Sequence, residues 1–156
     1  MRAALLAALL AAPGAGAQDG EAEPCMSAFM GFDTLLLPYA VRWECGADPA
    51  GDIAAFEAIV ASEPNDCGAD GLIAHISSVR AMASGDGTIF RDYLGLPRDG
   101  ALSPAEREGL CAAARRLPPA SVFAAPEAAE TRPEAHGAAF RDFAAAFEAI
   151  AMPETE

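Results

Sequence analysis

The chain has 156 residues and a net charge of −13, with 23 acidic side chains against 10 basic ones, all arginine. So acidic a surface repels a phosphate backbone, which excludes general nucleic-acid binding, and the same repulsion argues against an anionic membrane surface. Hydrophobic residues make up 53% of the sequence, enough at this length for one domain with a core of its own.

Residues 1–17 read as a separate segment. Met1-Arg2 gives a short positive end, Ala3 to Ala12 is an unbroken Ala/Leu run, and Pro13-Gly14 breaks it. Ala15-Gly16-Ala17 then offers the small residues a signal peptidase reads. The apolar run is far short of the roughly 20 residues a bilayer span needs. The expectation is a cleaved secretory signal peptide, no membrane span, and a periplasmic or secreted mature chain from Gln18. Cys25 follows Ala22-Glu23-Pro24, not the small apolar stretch that a lipid-modified cysteine requires. Losing Arg2 leaves nine arginines against 23 acids, a net charge of −14. Residues 18–24 are small and acidic and read as a disordered leader. One helical domain is expected over 25–152, with 153–156 as a tail.

From Cys25, Phe29, Phe32 and Leu36 recur at helical spacing. Pro38 predicts a kink or restart, so one helix is expected to about Leu37 and a second piece from Pro38 to Glu44. Gly46 suits the position just past a helix end. Asp52 reads as the N-cap of a helix over Ile53 to Ser62, which puts Ile53, Phe56, Ile59 and Val60 on one face and ends before Pro64. Cys67 to Ser84 is a turn followed by an amphipathic helix, with Leu72, Ile73, Ile76, Val79 and Met82 on its apolar side. The other helices are expected to pack around this central stretch. Ile89 to Leu94 holds too few apolar residues to separate a helical turn from a short extended piece.

Ser103-Pro104-Ala105-Glu106 is a capping-box sequence with proline at the first helical position. It predicts a helix to about Leu117, with Leu110, Cys111, Ala114 and Leu117 inward. Ala120 to Arg132 reads as a linker clipped by Val122 and Phe123. Pro133 to Met152 forms a last helix with Phe140, Phe143, Phe147 and Ile150 along one face. That face is expected to pack on the bundle, since a monomer seldom leaves so many phenylalanines exposed. There is no sustained strand alternation. The fold class is therefore all-α, a small bundle of about five helices.

The four cysteines, Cys25, Cys45, Cys67 and Cys111, all lie in the mature chain. An even count in an oxidising compartment reads as two disulfides. A straight helix from Cys25 to Cys45 would hold them about 30 Å apart, too far to bridge. If the first two helical segments form an antiparallel hairpin, Cys25 and Cys67 share one end of the bundle. Cys45, at the other end, then reaches Cys111. The expected pairs are Cys25–Cys67 and Cys45–Cys111.

Catalytic and metal patterns do not emerge. No C-x-x-C occurs, and no histidine lies at ligand spacing from a cysteine. His75 and His136 each fall on an apolar helix face and read as hydrogen-bonded core or boundary residues. Ser78, one turn from His75, sits mid-helix and not on the strained turn a serine nucleophile favours. Ser84-Gly85-Asp86-Gly87-Thr88 is glycine-rich but carries an aspartate where a phosphate would sit and no lysine. Asp66, Asp70 and Gly71 match a calcium loop at too few positions. No catalytic, cofactor-binding or metal residue is assigned, and no cofactor is expected.

The expectation for function is an exported, acidic, disulfide-stapled interaction module, inhibitor-, immunity- or chaperone-like, with another periplasmic or secreted protein as partner. The alternative is a small-ligand-binding protein or an enzyme whose site gathers around His75. A third reading is an accessory protein of the envelope.

Overall fold

A computed structural model describes the backbone of residues 19–62, 68–97, 100–124 and 134–151. Side chains are described from Gly31 in the first segment and from His136 in the last. The segment read as a signal peptide, the tail and the Cys25–Cys67 pair all fall outside the described residues or side chains.

The described chain is all-helical. Its elements are α1 (Asp19–Glu44), α2 (Ala50–Ser62), α3 (Ala69–Met82), a π-helical turn (Ile89–Tyr93), α4 (Pro104–Arg115), α5 (Ser121–Ala124) and α6 (Glu134–Ala151). These are seven helical elements rather than about five. The aromatic segment at Ile89 closes as a π turn, with Leu94 N–H donating to Ile89 O at 3.0 Å, and part of the expected linker coils into α5. Residues 19–24, within the stretch 18–24 read as a leader, form the first turns of α1.

Pro38 does not split α1. The helix runs through it to Glu44, although a proline in a helix interior costs roughly 3 kcal/mol. The compensation lies in burial. Leu36, Tyr39, Ala40 and Val41 are 0% exposed, and a fully buried large apolar side chain contributes about 1.5–3 kcal/mol. A restart at Pro38 would take this face out of register with the core.

The same residues move the centre of the molecule. α3 does give Leu72, Ile76 and Val79 to the core, but the element the others surround is the second half of α1. It packs against α3, α4 and the π turn. Phe56 of α2 sets its ring edge-on to Phe32, Tyr39 and Trp43 of α1, at centroid distances of 5.8, 5.2 and 6.3 Å. Edge-on aromatic contacts of this kind add to the gain from burial.

The end of α1 is a Schellman turn. Gly46 N–H donates to Trp43 O at 2.9 Å and Ala47 N–H to Arg42 O at 3.2 Å. Gly46 has φ +88°, a backbone state that favours glycine. One residue earlier, Cys45 bonds Cys111 with the Cα atoms 5.6 Å apart, tying this end to the middle of α4 as expected. α4 opens with the full capping box: Glu106 N–H donates to Ser103 Oγ at 3.2 Å, and Ser103 N–H donates to Glu106 Oε2 at 2.7 Å. Leu110, Cys111, Ala114 and Leu117 all turn inward.

Asp52 is not the cap of α2. That helix starts earlier, and Asp48 Oδ1 accepts from Ala50 N–H at 3.1 Å. Asp52 lies inside the first turn, 4% exposed. α6 lays its aromatic face on the bundle: Phe143 and Ile150 are buried, and Phe140 meets Phe123 of α5 and Tyr39 of α1 at 5.7 and 6.4 Å. Among the described residues no helix is long and apolar enough to cross a membrane.

Candidate functional site

Three polar constellations stand in this frame, and each joins residues far apart in sequence. The first contains His75. α3 presents it toward α1, where His75 Nε2 lies 2.7 Å from Asp33 Oδ1. Tyr93 of the π turn donates its hydroxyl to the same oxygen, and its ring sits 6.2 Å from the imidazole. Asp33 thus gathers two partners from two other elements while 30% exposed. Burial, then the bond to Asp33, pushes the Tyr93 phenol far above its usual range, so it stays a proton donor at any physiological pH. Chemically the cluster is a half-buried carboxylate holding an imidazole and a phenol in fixed orientation. His136, on α6, is half-buried. Ser78 is exposed on α3.

The second constellation is a buried cross-link. Asp52 Oδ2 accepts from Trp43 Nε1 at 3.1 Å and Oδ1 from Ala120 N–H at 3.0 Å. Beside it Tyr39 donates to Pro118 O at 2.9 Å, and Arg42 Nη1 reaches Leu117 O and Pro118 O at 3.3 and 3.2 Å. Burial, then the Asp52 charge, raises the Tyr39 phenol well above its ordinary value. These bonds pin the proline-rich connection after α4 onto α1 and α2. Every side chain in it is committed to holding the fold.

The third lies at the end of α1. Glu44 is 1% exposed. Its Oε1 accepts from Gly87 N–H at 2.5 Å, and Arg107 Nη2 stands 3.9 Å away. Arg107 also donates to Gly85 O at 2.8 Å and lies over the Phe90 ring at 5.5 Å. The glycine turn rejected as a phosphate cradle therefore does hold an anion, the chain's own carboxylate. Gly87 has φ +92°, a backbone state that favours glycine. In the same turn Asp86 accepts from the Thr88 hydroxyl and amide. Bonds from the Thr88 hydroxyl, Ser84 and the Thr88 amide lower the Asp86 carboxyl to about 2. Glu44 also borders an open cavity of about 400 Å³, walled by Pro104, Arg107, Glu108, Arg115 and the Cys45–Cys111 bridge.

Among the described residues no group of three or more His, Cys, Asp or Glu side chains is placed to hold a metal. Of the residues singled out in the sequence, Cys45 and Cys111 meet as expected, and His75 finds an acid, Asp33. Glu44, Asp33 and Tyr93 are not singled out by the sequence, and Asp52 is read there only as a helix cap. The available signals were faint: an acid closing an apolar helix, an acid four residues before Phe56, and a tyrosine in a segment of undecided structure. No family model, no curated protein and no solved structure matches this chain.

Proposed function

We propose that the mature chain is an exported acidic module that acts by binding a basic protein in the periplasm, in the manner of an inhibitor, immunity protein or chaperone. The observation that supports this reading is how the carboxylates are divided. Glu44 and Asp52 are buried and spent on the fold. Asp48, Glu57, Asp70, Asp92 and Glu148 stand exposed. Exposed cations are largely engaged: Arg115 pairs with Glu108 at 3.0 Å, Arg116 with Asp142 at 3.6 Å, and Arg91 bonds the Asp86 carbonyl at 3.1 Å. The outer surface therefore offers negative charge to a partner, which favours fast, salt-sensitive association. The aromatic face of α6 plays no part in this reading, because it is packed inward.

The test is affinity capture from an envelope extract, with the oxidised chain from Gln18 as bait and mass spectrometry as readout. One dominant basic partner near equal stoichiometry, released by raised salt, supports the proposal. A well-folded bait that retains nothing at low salt contradicts it. A second reading, a small-ligand or enzymatic site, is favoured by the Asp33–His75–Tyr93 cluster. It fails if His75→Ala leaves every ligand-induced melting shift intact.

A further inference from the structure

The cavity at the end of α1 is walled on its other side by one stripe of α4. Pro104, Arg107, Glu108, Cys111 and Arg115 line it, at the spacing that keeps side chains on one helix face. Arg107 stands one turn before Cys111 and Arg115 one turn after it, so the bridge to Cys45 lies between two guanidinium groups. Both arginines are open to solvent, with side chains 40% and 52% exposed. The bridge itself is uneven: Cys45 is half-buried, whereas Cys111 is buried. Of the acids on this wall, Glu108 faces outward and bonds Arg115 at 3.0 Å, while the Glu44 side chain is 0% exposed. The accessible wall therefore shows two positive groups to one negative, in a chain of net charge −13. Charges more than about 10 Å away are largely screened at ordinary ionic strength, so an anion inside the cavity meets the arginines first.

We propose that Cys45 is a thiol–disulfide exchange site, opened in the folded protein by a small thiol that carries a carboxylate. The thiolate of the reagent attacks the sulfur of Cys45, the more exposed half of the bridge. One S–S bond forms to Cys45 as the bond to Cys111 breaks, and the electron pair leaves on Cys111 as a thiolate. Guanidinium groups one turn away on either side favour that charge, where burial alone would oppose it. They also present the N–H donors that suit the reagent's carboxylate. A second equivalent attacks the reagent sulfur held on Cys45, releases Cys45 as a thiolate and departs as the reagent's own disulfide. Two electrons pass to the protein, and the reagent is oxidised by the same two. The covalent tie between the end of α1 and the middle of α4 is then gone. This site needs no protein partner, and it would stand if none were captured.

The probes are mercaptopropionate, mercaptoethanol and cysteamine, thiols of similar size that carry a carboxylate, no charge and an ammonium. Exchange with the oxidised chain is followed by acid quench, alkylation and peptide mass spectrometry, read at Cys45 and Cys111 alone. Rates are compared per thiolate, with allowance for thiol basicity. The net charge of the chain by itself would favour cysteamine. The expected order is the reverse: mercaptopropionate leads cysteamine about fivefold or more, the reagent is trapped on Cys45, and Arg107→Gln or Arg115→Gln removes most of the preference. Rates that do not rise with thiol concentration would mean that the bridge opens only after unfolding, and would overturn the proposal. So would cysteamine in the lead, reagent trapped on Cys111, or a preference unchanged in the arginine variants. Arg115 makes an exposed pair with Glu108, so Arg115→Gln carries the test should Arg107→Gln fail to fold.

Discussion

The end of α1 and helix α6 are both rich in aromatic side chains, yet they are held by different forces. Around Tyr39, Trp43 and Glu44 the packing is threaded with buried polar bonds and closed by a disulfide. Around Phe143, Phe147 and Ile150 it is apolar contact, with a single exposed ion pair, Arg116 to Asp142, between α4 and α6 among the described residues. Apolar packing is non-directional and tolerates exchange of like for like. A buried polar bond fixes partner and geometry, and losing one side leaves the other desolvated and unpaired. The two regions should therefore answer differently to substitution.

The largest effect is expected from removing the Cys45–Cys111 bridge. It closes a separation of 66 residues, for which the chain-entropy relation gives about 4 kcal/mol. Denaturant melts of the paired Cys→Ser variant check this. Next come two truncations of similar size. Asp52→Ala strands Trp43 Nε1 and the Ala120 amide, at a cost of about 3 kcal/mol. Phe143→Ala leaves a cavity costing about 3 kcal/mol as well. The conservative variants separate them: Phe143→Leu should recover most of its loss, to about 1 kcal/mol. Asp52→Asn can offer one acceptor but not two and should still cost about 2 kcal/mol. Equal recovery at both sites would remove the distinction.

Smaller effects lie at the edges. Ser103→Ala breaks the capping box and should cost about 1 kcal/mol. Asp86 carries the smallest, and its sign is fixed. Its folded carboxyl titrates near 2, below the ordinary 3.8, so the stability it lends is full above the ordinary value and is lost as pH falls toward 2. Asp86→Asn should lower the melting temperature slightly at neutral pH, flatten its fall between 3.8 and about 2, and leave it almost unchanged below that window.

The same contrast explains what the sequence reveals. The apolar faces of α2, α3, α4 and α6 are legible because periodicity is a local signal, readable from Phe56 and Val60, or from Leu72, Ile76 and Val79. The capping box and Gly46 are legible because their bonding partners lie within a turn. Pro38 misleads because its penalty is local while its compensation is tertiary. Asp52 looks like a cap for the same reason: nothing nearby shows that its partners are Trp43 and Ala120, 9 and 68 residues away. Glu44 and Gly87 are 43 residues apart, and Asp33 and His75 are 42 apart. No pattern rule connects them. The polar groups that make up the candidate sites are the ones that local spacing cannot pair.

The claim that the second half of α1 is the locked centre of the molecule is tested most directly by native-state amide hydrogen exchange on the oxidised chain. The account predicts that the amides of Tyr39, Ala40, Val41 and Glu44 exchange only through global unfolding, while those of α6 open by smaller local steps. If α6 exchanged as slowly as this end of α1, or if Tyr39 to Glu44 opened locally, the centre of the fold would lie elsewhere.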